Sequence, residues 1–150
     1  MAKPMQLSAA REHTVWERMT LTVDSGASDT VIPPGMLSWL ELRHTHRVGQ
    51  EYEVANGEIV HNMGEKRCLM KMSANDTAEL EISFQVVEGI HKPLLAVSSM
   101  TKNGHEVIFS EKNPRIVLSS GGIIPMKFTQ GTYEIEILVQ RPGFTRPSHP

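Results

Sequence analysis

Asp24 is the acid in this chain best placed to do chemistry. It stands in Leu21-Thr22-Val23-Asp24-Ser25-Gly26-Ala27-Ser28-Asp29-Thr30-Val31-Ile32-Pro33, where an apolar run enters Asp-Ser-Gly-Ala and a second apolar pair leaves it. A carboxylate at the end of a buried strand is held rigidly, as general acid–base catalysis requires. Ser25 supplies a hydroxyl that can tie the loop to its neighbour. Gly26 permits a sharp turn and the close approach of a substrate backbone. Ala27 is small enough to leave room beside the carboxylate. A run of Asp, Ser or Thr, Gly, then Ala or Ser arises by chance in roughly 1% of chains of this length. Those four residues alone also suit a β-turn merely shaped by Asp and Gly. The apolar flanks favour the chemical reading.

Other reactive side chains are less well supported. His44 and His46 form a His-x-His pair that on a strand would face one side and could hold a metal. No third ligand accompanies them, so solvated loop histidines are expected and no metal or cofactor is called for. Cys68 reads as a small core residue rather than a nucleophile. No Gly-x-Ser-x-Gly elbow is present, which leaves a serine hydrolase unsupported. Glu111–Arg115 reads as a solvated turn.

The elements around Asp24 have a period of two. Val15, Met19, Leu21 and Val23 are interleaved with Arg18, Thr20 and Thr22, which predicts a strand with one buried face. Leu80, Ile82, Phe84 and Val86 alternate with polar residues, as do Tyr133, Ile135, Ile137 and Val139. Shorter strands are predicted at Val48–Val54, Glu58–Val60, Arg67–Met72, Glu106–Ser110 and Arg115–Leu118. Asn56-Gly57, Asn75-Asp76, Asn113-Pro114, Gly121-Gly122 and Gln130-Gly131 punctuate them. Asn56-Gly57 predicts a hairpin in which both residues take positive φ. Helix is expected only as a short turn in Gly35–Leu42 and at Ser98–Asn103, with Ser near its start and Gly104 as the stop. Residues 1–13 lack a clear period and 141–150 hold three prolines, so both ends are expected to be flexible around a single domain at 14–140.

Composition narrows the classes. At 150 residues, 39% hydrophobic and 21% charged, the chain can bury a core of its own. A net charge of −2 gives no electrostatic case for nucleic acid. No apolar run approaches the ~20 residues that would cross a bilayer. Met1–Gln6 lacks the apolar stretch of a secretory signal, and the single Cys68 can form no internal disulfide. A cytoplasmic address is expected.

Taken whole, the Asp24 segment resembles the catalytic loop of the retropepsins, the aspartic proteases of retroviruses and retrotransposons. In that family an apolar strand leads into Asp-Thr/Ser-Gly-Ala, and a second apolar strand runs later into a short helix. Here the second feature is Pro93-Leu94-Leu95-Ala96-Val97-Ser98-Ser99-Met100. With Gly104-His105-Glu106-Val107-Ile108-Phe109 after it, the segment looks most like the copia-type retrotransposon branch. Gly131-Thr132-Tyr133-Glu134-Ile135 is similar to a motif that follows the protease in copia-type polyproteins. The similarity spans residues 15–140 and is most specific at the Asp24 loop.

The resemblance implies a mostly-β, retropepsin-like closed barrel with one short helix, assembled as a symmetric homodimer. It also implies an aspartic endopeptidase that cleaves retroelement polyprotein, including its own boundaries, in the cytoplasm or within retroelement particles. Such chemistry needs two carboxylates sharing one proton. Asp76-Thr77-Ala78 lacks the glycine, and Ser119-Ser120-Gly121-Gly122 lacks the acid, so the second carboxylate is expected from another copy of Asp24. Asp24 would be catalytic, with Ser25, Gly26 and Ala27 supporting the loop and Gly26, Ser28 and Asp29 positioning an extended polypeptide. A flap would cover it, best placed at Tyr52–Val60, with Val54, Ala55, Asn56, Gly57 and Glu58 as contacts. Asn62-Met63-Gly64 is the competing tip.

The chain also departs from the family. Retroviral members often carry Gly where Ala96 stands, then an Arg paired with an Asp after the catalytic Ala. Val97 and Ser28 occupy those places, so the helix must be secured otherwise, with the Ser98 and Ser99 hydroxyls as candidates. Residues after Ser110 exceed a minimal retropepsin subunit and either add a hairpin or belong to a following polyprotein region. The rival from another class is a catalytically silent dimerisation or peptide-binding module of the same fold. A generic β-barrel domain would be monomeric.

Overall fold

The computed structural model describes residues 11–145. Among these residues the order is β1 (Arg11–Asp24), β2 (Val31–Ile32), β3 (Glu51–Glu53), β4 (Ile59–Lys71), β5 (Leu80–Val87) and β6 (Leu94–Ala96). Helix α1 (Val97–Lys102) follows, then β7 (Glu106–Ile108), β8 (Arg115–Val117), β9 (Ile123–Pro125), β10 (Lys127–Thr129) and β11 (Thr132–Thr145). The described residues are mostly β, with one short helix.

Eight strands form one sheet in the order β10-β11-β1-β6-β2-β5-β4-β3, and a further β11–β4 pairing at Leu138↔Lys71 and Val139↔Met70 closes it into a ring. Strands β7, β8 and β9 form a second sheet. The core inside is aliphatic. Leu21, Ile32, Phe84, Ile137 and Val139 are fully buried, and Ile116, Leu118 and Ile124 from the second sheet join the same cluster. Residues beyond Ser110 are therefore integral to this core, and β11 is a member of the ring.

The strongest alternations in the sequence became strands β1, β5 and β11. Several boundaries differ. Glu58–Val60 and Arg67–Met72 are two ends of one strand, β4, whose middle buries Asn62, Glu65 and Lys66. Polar residues hid this strand because each is buried with a partner rather than exposed. The segment expected to pair from Val48 yields only β3, since Thr45–Gln50 forms turns closed by Val48 N–H to the Thr45 carbonyl and Gln50 N–H to the Arg47 carbonyl. Gly35–Leu42 holds the expected short turn, closed by Leu40 N–H to the Leu37 carbonyl, without any helix. Leu37 takes a φ of 54° with its side chain buried, and the Lys66 ammonium donates to the Met36 and Leu37 carbonyls at 2.9 and 3.0 Å.

Helix α1 starts at an Ala96 N-cap rather than a serine. Its end follows the expected stop: Gly104 has a φ of 86°, its N–H donates to the Thr101 carbonyl, and His105 N–H donates to the Met100 carbonyl. That double bond pattern satisfies carbonyls a bare helix end leaves open.

The expected domain limits at 14 and 140 fall inside strands. Arg11↔Thr145 through Val15↔Arg141 continue the β1–β11 ladder, so 11–13 and 141–145 are paired strand. Antiparallel hydrogen bonding sustains them without apolar alternation, and Pro142 sits where the strand has β1 as its sheet neighbour. The expectations for 1–10 and 146–150 lie outside the described residues.

Candidate active site

Strand β1 delivers Asp24. Its last three residues run parallel to β6 in the register Thr22↔Leu94, Val23↔Leu95 and Asp24↔Ala96, with Leu21 and Val23 anchored in the core. Parallel strands buried on both sides make a stiff platform. Asp24 itself is half-buried, and its Oδ1 accepts the Gly26 N–H at 2.8 Å. A Cβ at Gly26 would meet that same oxygen at 3.4 Å. That is ordinary van der Waals contact, so it is the Gly26 amide, rather than the missing side chain, that orients the carboxylate here.

The loop is clamped from below. Ser98 Oγ donates to the Ala27 carbonyl at 3.4 Å, so a serine hydroxyl does link α1 to the loop. Thr30 Oγ1 accepts the Ala96 N–H at 3.1 Å, and the Thr30 carbonyl accepts the Gln85 N–H at 2.9 Å. Thr30 is buried and was not singled out in the sequence, because a threonine clamp depends on two strands distant along the chain.

The predicted hairpin exists with a different turn. Strands β3 and β4 pair at Glu51↔His61, Tyr52↔Val60 and Glu53↔Ile59. Gly57 N–H donates to the Val54 carbonyl and Val54 N–H to the Glu58 carbonyl, so Ala55 and Asn56 are the corner. Only Gly57 takes positive φ, at 87°. The two-residue turn expected at Asn56-Gly57 is instead a longer loop ending in a left-handed glycine. Asn56 helps hold it, accepting from Glu58 N–H at 2.9 Å. The two-residue geometry occurs at Gln130-Gly131, with φ of 50° and 84°. Asn62-Met63-Gly64 is no tip: it is a bulge within β4.

Loop and hairpin face one cleft of about 910 Å³, larger than the cavities beside Trp39 and Cys68 or beneath α1. Asp24, Gly26, Ala27, Ser28 and Asp29 line it on one side, and Val54, Ala55, Asn56 and Glu58 on the other. Ser25 and Gly57 belong to the same loops but not to the lining. Gly89–Lys92, absent from the sequence reading, forms a further wall.

A chain of polar side chains ties the Asp24 loop to the hairpin. Arg47 pairs with Asp29 Oδ2, and Tyr52 hydroxyl donates to that same oxygen at 2.9 Å. Asn62 Nδ2 donates to the Tyr52 oxygen at 3.0 Å and to Gln85 Oε1 at 2.8 Å. Gln85 Nε2 then reaches Glu65 Oε1 at 2.9 Å, and Arg67 Nε donates to Glu65 Oε2 at 2.6 Å. Carboxylates at both ends accept only, so every donor direction between them is set. Burial pushes the Tyr52 hydroxyl above its ordinary pKa, and the Asp29 carboxylate adds to that against the Asn62 bond.

Burial pushes the Glu65 carboxyl up, but the Arg67 and Gln85 donors outweigh it and leave the pKa below its ordinary value of 4.5. A depressed carboxylate stabilises the folded state fully above its unfolded value, and that contribution is lost as pH falls through the folded one. Urea midpoints are expected to drop below about pH 4.5, and Glu65→Gln should flatten that acid limb. An unchanged limb would contradict the pairing.

Burial raises the Cys68 thiol to about 11, so it stays protonated at neutral pH and is a poor nucleophile. His44 and His46 are exposed on a loop, and among the described residues no three His, Cys, Asp or Glu side chains gather to hold a metal. Among those residues no helix is long and apolar enough to cross a membrane. Compared with family models, curated proteins and solved structures, the chain matches none.

Proposed function

We propose that this chain is one subunit of a homodimeric aspartic endopeptidase of the retropepsin type, its ring of strands serving as the closed barrel of that fold. The observation that carries this reading is Asp24: a carboxylate at a strand end, oriented by the Gly26 amide, lining the same cleft as a hairpin. Asp29, the other acid of the loop, cannot complete a dyad because its carboxylate is committed to Arg47 and Tyr52. The second carboxylate therefore comes from Asp24 of another copy across a two-fold axis.

In the assembled site the two carboxylates hold one proton between them. The ionised one takes a proton from a bound water, whose oxygen attacks the scissile carbonyl carbon. The protonated one donates to the carbonyl oxygen, giving a neutral gem-diol. Collapse breaks the C–N bond as the amine nitrogen receives a proton, leaving a carboxylic acid and an amine. Substrate lies extended between floor and hairpin, held by main-chain hydrogen bonds as an added strand. A retroelement polyprotein, cleaved at sites that include the protease's own boundaries, is the natural substrate this reading implies.

Sedimentation velocity with a statine-type inhibitor tests assembly and chemistry together. The protein is expected to sediment as two chains, with the dimer tightened by inhibitor. A monomer indifferent to the compound would overturn the proposal, and a dimer indifferent to it would favour a silent binding module.

A further inference from the structure

The geometry points to Tyr52 as a releasable latch that holds the hairpin over the Asp24 loop, making it a positioning residue that gates substrate access. This rests on the endopeptidase reading for its purpose, though not for its physics. Strand β3 is the last strand of its sheet and is bonded to β4 alone, over three residue pairs. Such an edge is weakly held by backbone alone. The second tie comes from the Tyr52 side chain, whose ring packs on Val31, Val60 and Val87 and whose hydroxyl reaches Asp29. Asp29 sits on the Asp24 loop next to the clamped Thr30, so the bond joins hairpin to floor directly.

What marks this joint as releasable is the state of its partners when it breaks. If the Tyr52 hydroxyl leaves, Asp29 keeps Arg47 as its counter-charge. Asn62 Nδ2 keeps Gln85, and Asn62 Oδ1 keeps the Gly64 N–H at 2.8 Å. The hydroxyl itself moves toward solvent. No charge is left unpaired and each partner keeps at least one bond, so opening costs one charge-assisted hydrogen bond, some ring packing and the acceptor of one of the two Asn62 N–H groups. Breaking the network at Asn62 or Gln85 would instead strand several buried groups. The arrangement thus separates one joint that can open from a frame that cannot.

Tyr52→Phe removes the hydroxyl and keeps the ring. Amide hydrogen exchange on the full chain, with Asp24→Asn in both proteins to prevent self-cleavage, reads the latch without any assay of cleavage. Exchange at the Val54 and Gly57 amides is expected to speed up by about ten-fold, while amides of β1 and β5 stay as protected as before. Unchanged hairpin protection, or a loss spread equally over β1 and β5, would overturn the latch. Association of a statine-type inhibitor with the Tyr52→Phe protein carrying Asp24 should also quicken several-fold. No inhibitor binding by either protein would count against the endopeptidase reading, with exchange still deciding the latch.

Discussion

Asp24→Asn is expected to lower peptide-bond hydrolysis by about 10⁴-fold or more while leaving the fold intact. Asparagine is nearly isosteric and keeps an oxygen to accept the Gly26 N–H, so the loop geometry survives. What it lacks is the ability to take the proton of the attacking water or to hold one for the carbonyl. In a two-fold dimer one substitution removes both carboxylates, so no residual acid remains to act alone. Wild-type and variant proteins incubated with a mixed library of extended peptides, read by mass spectrometry, decide the matter. The wild-type rate should peak at mildly acidic pH, because the chemistry needs one proton held between the pair. Equal products from both proteins would assign any hydrolysis elsewhere, and no products from either would leave a binding module.

Asn62→Leu is expected to cost about 3 kcal/mol of folding stability. Asn62 is 2% exposed and serves four groups: it donates to Tyr52 and Gln85, accepts from Gly64 N–H, and through Gln85 supports Glu65. Leucine has the same branching and the same number of side-chain heavy atoms but returns none of these bonds. The Gly64 amide would then be buried without an acceptor in the bulge, and Gln85 Oε1 without a donor. At this chain length the loss corresponds to roughly 10 °C in Tm. Urea unfolding of the two proteins measures it, and a loss below about 0.5 kcal/mol would show that the bonds are not worth their geometry. Tyr52→Phe in the same assay should cost less, because Asp29 keeps Arg47 and only one of the two Asn62 N–H groups loses its acceptor.

Much of this architecture was legible in the residues themselves. Strands β1, β5 and β11 alternate because one face of each is buried, and Asp24 stood out because an apolar strand delivers an acid into a glycine turn. The hairpin was placed by Asn56-Gly57, although its turn type was not, since the choice between loop lengths depends on the register of Glu53 with Ile59. What stayed hidden shares one cause. Asn62, Glu65, Lys66 and Gln85 look like surface residues, and only the fold brings them together so that each can be buried and satisfied. For the same reason Thr30, Arg47 and Gly89–Lys92 gave no local sign of their place around the cleft. The paired strand at 11–13 and 141–145 was equally opaque, because a ladder of backbone bonds leaves no trace in side-chain type.

The long β1–β11 ladder has a consequence for how the molecule comes into being. The strand that carries Asp24 has as one neighbour the last strand of the described chain, and that strand also closes the ring onto β4. During vectorial synthesis β1 must therefore wait, unpaired on that flank, until β11 has been made. Contacts so distant along the chain make folding slow, and the strand end that carries Asp24 gains its full support only once β11 is in place.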